Sequence, residues 1–126
     1  MLHTLFFNSE TKTIEAKMIG DLTFCGTKEL ITQLAQMAKE NNCNLLLNDF
    51  NEAIIKLSTF EIYELPKIML DTFTSVGLNV RLMKRALIVK KDLQDYTFYE
   101  TVTKNSGQNA KIFNDIDEAK EWLYNK

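Results

Sequence analysis

The sequence predicts an α/β fold: one domain with a mixed, mostly parallel sheet of four to five strands built by βα repeats. Three observations predict it. The chain has 126 residues, the size of a single domain with one core. Short apolar runs alternate with stretches in which apolar residues recur every three or four positions, the marks of strands and amphipathic helices in turn. Signals for helix starts and stops fall between those stretches, so after an opening hairpin the order reads β-β-α-β-α-β-α-β-α. Strands separated by helices pair in parallel through right-handed crossovers.

Each element has its own justification. Residues 3–7 and 13–19 are extended segments joined by the polar loop Asn8-Ser9-Glu10-Thr11-Lys12, which predicts a hairpin. In the second, Ile14, Ala16 and Met18 point one way and Thr13, Glu15 and Lys17 the other, so one face is expected to be wet. Across residues 26–41, Leu30, Ile31, Leu34, Met37 and Ala38 form an apolar stripe. Asn41 and Asn42 suit its end, because Asn tolerates the left-handed conformation of helix C-termini. Leu45-Leu46-Leu47 running into Asn48-Asp49-Phe50 predicts a strand covered on both faces, followed by a long connection over 51–57. Ser58-Thr59-Phe60-Glu61 is a capping box that opens the next helix. That helix carries Ile62, Leu65, Met69, Phe73 and Val76 on one stripe and ends near Gly77, and Pro66 inside it predicts a kink or two shorter helices. Residues 80–82 read as a short extended piece and 86–89 as a buried strand. Asp92 opens a third helix through Tyr96, Tyr99 and Val102 to Asn105, with Gly107 as its cap. A last strand at 111–113 precedes a helix capped at Asp115, which buries Ala119, Trp122 and Leu123.

Composition sets bounds on function. A net charge of −2 lacks the basic field that sequence-independent nucleic-acid binding requires. The longest strictly apolar run is Ala86-Leu87-Ile88-Val89, far short of the ~20 residues of a membrane span, and the first residues lack the basic and apolar regions of a secretory signal. The expectation is a cytoplasmic protein. Cys25 and Cys43 flank the first helix, which holds them about 20 Å apart, beyond the ~7 Å limit for a disulfide. Two reduced thiols fit a reducing compartment. With one His and two separated Cys, there is no zinc-ligand spacing, and no cofactor is implied.

Several groups deserve a chemical reading. The stretch Gly20 to Lys28 lies where a phosphate loop would, but its glycine spacing and the order of its Thr and Lys do not match one. Cys25 precedes a helix start, where thiolate is favoured, yet His3 is the sole imidazole available to it. Glu61 and Glu64 lie one turn apart and could face Asp49 at the end of its strand, although solvated surface acids explain them as well. Arg81, Lys84, Arg85, Lys90 and Lys91 cluster around the buried strand. They read as an anion-facing patch or as solubilising charges at strand ends. Tyr63, Phe73, Tyr96, Phe98 and Tyr99 have helical spacing. With Ile62, Leu65 and Met69 they line an apolar pocket if the broken helix stands away from the third helix. Ala53-Ile54-Ile55 could add a homodimer face.

Three stretches resemble the SpoIIAA-like family, whose fold is shared with STAS domains and compared with CRAL-TRIO lipid-transfer domains. They are Gly20-Asp21-Leu22-Thr23, the run Leu57-Ser58-Thr59-Phe60-Glu61-Ile62-Tyr63-Glu64-Leu65-Pro66, and the C-terminal third. The last runs from Arg85-Ala86-Leu87-Ile88-Val89 through Asn105-Ser106-Gly107 and Ile112-Phe113-Asn114-Asp115 to Trp122-Leu123. The resemblance implies a SpoIIAA/STAS-like fold. It also implies a regulatory module that binds a protein partner at the start of the helix after a central strand, where a serine is phosphorylated; Ser58 holds that position here. The residues themselves account for Ser58 as a helix cap. Taken together, the expectation is a non-catalytic binding module that engages a protein partner or small ligand through 49–69. Asp49, Ser58, Ile62, Tyr63, Leu65 and Met69 are its candidate residues, and the alternative is a carrier or sensor of a small apolar or lipid-like ligand.

Overall fold

Strands and helices alternate in the expected order, with one 3-10 turn added before the fourth strand. The computed structural model describes residues 2–89 and 94–125. Strands β1 (Leu2–Asn8) and β2 (Thr13–Leu22) form the antiparallel hairpin, in register from Leu2 opposite Ile19 to Asn8 opposite Thr13. Strands β3 (Leu45–Ile55), β4 (Lys84–Ile88) and β5 (Asn109–Phe113) then add in parallel, and order in the sheet follows order in the chain. Helices α1 (Phe24–Asn41), α2 (Thr59–Ser75) and α3 (Gln94–Asn105) connect the parallel strands, and α4 (Ile116–Tyr124) follows β5. Every crossover steps the same way along the sheet, so crossovers of one hand put α1, α2 and α3 on one face. The fourth helix packs on the other.

Two apolar cores result. The larger joins Ile14, Ala16, Met18 and Leu46 of the sheet to Leu30, Leu34, Leu65, Met69 and Phe73 of α1 and α2. The smaller joins Leu47, Ala86 and Ile88 to Ala119 and Leu123 of α4, with Trp122 partly buried. On β2 the expected wet face is only partly wet: Lys17 is exposed and pairs with Glu52 at 2.8 Å, whereas Thr13 is fully buried and donates to the Thr11 carbonyl at 3.2 Å.

Four expectations need correction. The long connection at 51–57 is mostly strand: β3 continues through Ile55, paired with β2 from Ile19 opposite Glu52 to Leu22 opposite Ile55. A bulge between Lys17 and Ile19 lets β3 insert one extra residue, which breaks the two-residue alternation a strand shows in sequence. The helix around Pro66 is one unbroken element of 17 residues. The turns on each side of the missing amide are held by the Ser58–Glu61 capping box and by the buried stripe Ile62, Leu65, Met69 and Phe73, so losing one hydrogen bond does not divide it. Residues Val80–Leu82 form the 3-10 turn and not an extended piece, with the Asn79 side chain accepting from the Arg81 amide at 3.0 Å. Phe24 and Cys25 lie inside α1, which begins after its N-cap Thr23, and Gly20 to Leu22 belong to β2. The expected opening of the third helix at Asp92 lies outside the described residues.

Both predicted glycine stops hold. Gly77 has φ +83 and donates to the Thr74 carbonyl, while Leu78 donates to Phe73. Gly107 repeats the pattern, with Gln108 donating to the Thr103 carbonyl. Only a residue free to adopt positive φ turns the chain out of a helix this way. The second turn sends Gln108 inward toward α2.

Candidate functional site

The site begins with strand alternation. On β3, Leu46, Asn48 and Phe50 face α1 to α3, and on β4 the register sets Arg85 beside Leu46 and Leu87 beside Asn48. The fourth strand begins at Lys84, two residues before the expected start. That sends Lys84 and Ala86 toward α4 and Arg85 under the helices. Lys84 lies over the Trp122 ring, 4.5 Å from its centroid, and donates to the carbonyls of Trp122 and Asn125 at the end of α4, a favourable place for a cation. Arg81 donates to the Ser106 carbonyl at 3.2 Å. The basic residues therefore do not share one surface: Arg85 is 2% exposed, and Lys90 and Lys91 lie outside the described residues.

Arg85 is held by neutral groups. One terminal nitrogen donates to the Tyr99 hydroxyl at 2.9 Å and the other to Gln108 Oε1 at 2.8 Å. Gln108 Nε2 donates in turn to the Pro66 carbonyl at 2.7 Å, which ties β4, α2 and the turn after α3 together. The Arg85 Nε has no hydrogen-bond partner. Among the described residues the ion pairs are Lys17–Glu52 and Lys104–Glu100, so no described carboxylate pairs with Arg85. Burying a guanidinium costs several kcal/mol unless it is paired and hydrogen-bonded, so this arrangement needs a physical reason. Asn48, 7% exposed, repeats the theme, since its Oδ1 also lacks a partner.

Both groups line a cavity of about 70 Å³ between the sheet and the helices. Ile62, Leu65 and Met69 of α2, Tyr96 and Tyr99 of α3, and Leu30 and Leu34 of α1 form its helical side. Phe50, Ile55, Leu57 and Tyr99 are the partly buried members and mark the side nearest solvent. Phe50 and Tyr96 meet with ring centroids 5.5 Å apart.

The six candidate residues are divided by this geometry. Ile62, Leu65 and Met69 come together in the cavity wall. Tyr63 is 61% exposed on the outer side of α2, in a groove it shares with Lys67 and Arg81. Ser58 is exposed at the N-cap: its hydroxyl accepts from the Glu61 amide at 3.1 Å, and its own amide donates to Glu61 Oε1 at 2.8 Å. Asp49 lies on the opposite face of β3 from Asn48, in register with Lys17 and Ile88, and its carboxylate accepts from the Asn51 amide at 2.9 Å. Glu61 is engaged in the cap and Asp49 sits mid-strand on the far face, so the expected carboxylate mouth does not form. Of the pocket rings, Tyr96 and Tyr99 line the cavity; Phe73 is fully buried in the core.

Asn48 and Gln108 were missed by sequence reasoning, and Arg85 was read as part of a basic cluster flanking the strand and not as a buried group. The available signal was the phase of β4: extending the strand by two residues puts Arg85 on the same face as Leu87. Cys25 is exposed and Cys43 buried, and neither forms a disulfide. The Cys43 thiol donates to the Lys12 carbonyl at 3.1 Å, and burial pushes its pKa up. The side chains of His3 and Gln33 hydrogen-bond to each other. Ala53 and Ile55 turn in toward the core, leaving Ile54, 56% exposed, as the outward residue of the expected dimer face. No group of three or more metal-ligating side chains occurs among the described residues, and no described helix is long and apolar enough to cross a membrane.

No known family model and no curated protein matches the chain in sequence. In structure it is similar to an uncharacterized protein from the DUF3478 family with a SpoIIAA-like fold, from Shewanella loihica PV-4. The two are 19% identical, with a TM-score of 0.59 over 97% of this chain and 92% of that one. The chain has a SpoIIAA-like fold, as its sequence resemblance implies.

Proposed function

We propose that the protein is a non-catalytic, cytoplasmic binding module that holds a small, largely apolar ligand in the recess beneath α2. The observation that carries this reading is the cavity itself, walled by aliphatic and aromatic side chains with a few converging polar groups, the usual chemistry of a ligand site. Its size favours a small ligand. About 70 Å³ admits a few atoms, where one water needs ~10–15 Å³, and a drug-sized ligand needs ~300–1,000 Å³. A lipid-like ligand would have to displace α2, and is the weaker form of the proposal. The test is solution NMR of the purified protein under xenon pressure, with native mass spectrometry beside it. The reading expects shifts at the Leu65 and Met69 methyls, suppressed by a recess-filling Leu65→Phe variant. Unmoved methyls together with a mass free of adducts would overturn it.

A second reading rests on a separate observation. Phe60 and Tyr63 are 72% and 61% exposed next to Ser58, and adjacent exposed rings suit a protein contact. The SpoIIAA-like fold supports a STAS-type partner surface here, regulated at Ser58. Capture of interacting proteins by wild type, Ser58→Ala, Ser58→Asp and Tyr63→Lys tests it. Loss with Tyr63→Lys supports the surface, and identical capture by both Ser58 variants removes the phosphorylation switch.

A further inference from the structure

We infer that the recess takes the carboxylate of a small apolar monocarboxylic acid, with Arg85 as the residue that binds it; this rests on the recess being a ligand site. The guanidinium has five N–H donors. Two of them go to Tyr99 and Gln108, the Nε donor has no partner, and the side chain is almost wholly buried against the cavity. A cation in that position, with only neutral groups around it among the described residues, is an unfilled half of a pair. The Gln108 bridge to Pro66 fixes it in place, so the fork is oriented before any ligand arrives.

The chemistry of the partner follows from what surrounds the charge. A planar fork matches a planar carboxylate with two parallel hydrogen bonds. One cation compensates one negative charge, and the rest of the wall is dominated by Leu, Ile and Met, so a phosphate dianion would carry a second charge into an apolar site. The aliphatic body of the acid would lie against Ile62, Leu65 and Met69. The volume limits that body to a short chain. Asn48 sits diagonally across from Arg85 on the neighbouring strand, but its unpartnered Oδ1 is an acceptor, so the carboxylate is bound by Arg85 and not by that oxygen.

The experiment titrates the intact protein, at matched ionic strength, with sodium butyrate, with neutral butyramide and with inorganic phosphate, following the Arg85 Nε–H signal and the Leu65 and Met69 methyls by NMR. Butyrate is expected to move both sets and to bind at least tenfold more tightly than butyramide or phosphate. Arg85→Lys keeps the charge but loses the fork, and is expected to weaken butyrate about tenfold in a protein whose circular dichroism matches wild type; if that variant does not fold, the ligand comparison on wild type decides. Equal binding of butyramide and butyrate at the same methyls overturns the carboxylate inference and leaves the recess standing. Equal or tighter binding of phosphate at Arg85 also overturns it. If none of the three ligands nor xenon moves the recess signals, the ligand site itself is rejected.

Discussion

Ser58 joins the two readings of α2, because one hydroxyl both caps the helix and occupies the position the family resemblance marks for phosphorylation. The structural share can be separated. Its oxygen accepts from the Glu61 amide, so Ser58→Ala should cost about 1 kcal/mol in denaturant unfolding. Ser58→Asp, which keeps a capping oxygen, should stay within about 0.5 kcal/mol of wild type. A loss of several kcal/mol in the Asp variant would show that the hydroxyl does more than cap. Cys43 gives a second residue-level expectation. Burial raises its thiol pKa, so between the unfolded and folded pKa values the native state holds the extra proton. The associated stability is complete below the unfolded value and is lost as pH climbs through the folded one. Stability should therefore fall from about pH 8.5 upward, with a shallower fall in Cys43→Ala, and a thiol reagent should label exposed Cys25 well before Cys43. Equal labelling rates in native buffer would contradict the buried position.

At the level of elements, what was legible depended on whether a signal was local. The capping box at Ser58, the Asn41-Asn42 stop of α1 and the glycine stops of α2 and α3 are local rules of backbone geometry, and all of them hold. The extension of β3 was not local. Leu46, Asn48 and Phe50 face the helices, and so do Ala53 and Ile55, but the extra residue in β3 where its pairing with β2 slips between Lys17 and Ile19 shifts the phase between the two sets. Read without that shift, Asn51 to Ile55 has no strand period and looks like a loop. Arg85 was hidden for a related reason: a charge beside an apolar run reads as flanking until the partner strand fixes where the ladder begins. Pro66 shows a local rule outweighed by packing. Pro66→Ala regains an amide in a helix interior, worth up to ~3 kcal/mol, but loses ring burial of about 0.8 kcal/mol per methylene and the stiffness proline gives the unfolded chain. These oppose each other, so the variant should unfold within about 1 kcal/mol of wild type. A change above about 2 kcal/mol in either direction would mean that the ring has a role beyond filling space, such as aiming the carbonyl that receives Gln108.

Across the whole molecule, the arrangement of layers explains why a polar recess is tolerable at all. The sheet carries three helices on one face and a single helix on the other, so the two faces are not equally closed. The larger core secures β2 and β3 through Ile14, Met18 and Leu46, all with no exposed surface, and the recess sits at its margin toward β4 and α3. A margin can hold an unpaired Asn48 and a charged Arg85 because the fully apolar layer beside it supplies the stability. Hydrogen exchange reads this gradient directly. Amides of β3 around Leu46 and Leu47, bonded on both sides by β2 and β4, should exchange only through global unfolding. The edge strands β1 and β5, each with one neighbour, should open at lower free energy. A bound carboxylate that bridges β4 and α2 should then slow exchange in α2 and α3 while leaving α4, on the far face, unchanged. Protection of β1 equal to that of β3 would show the sheet opening as one unit, and protection of α4 equal to that of α2 on ligand binding would place the ligand outside the recess.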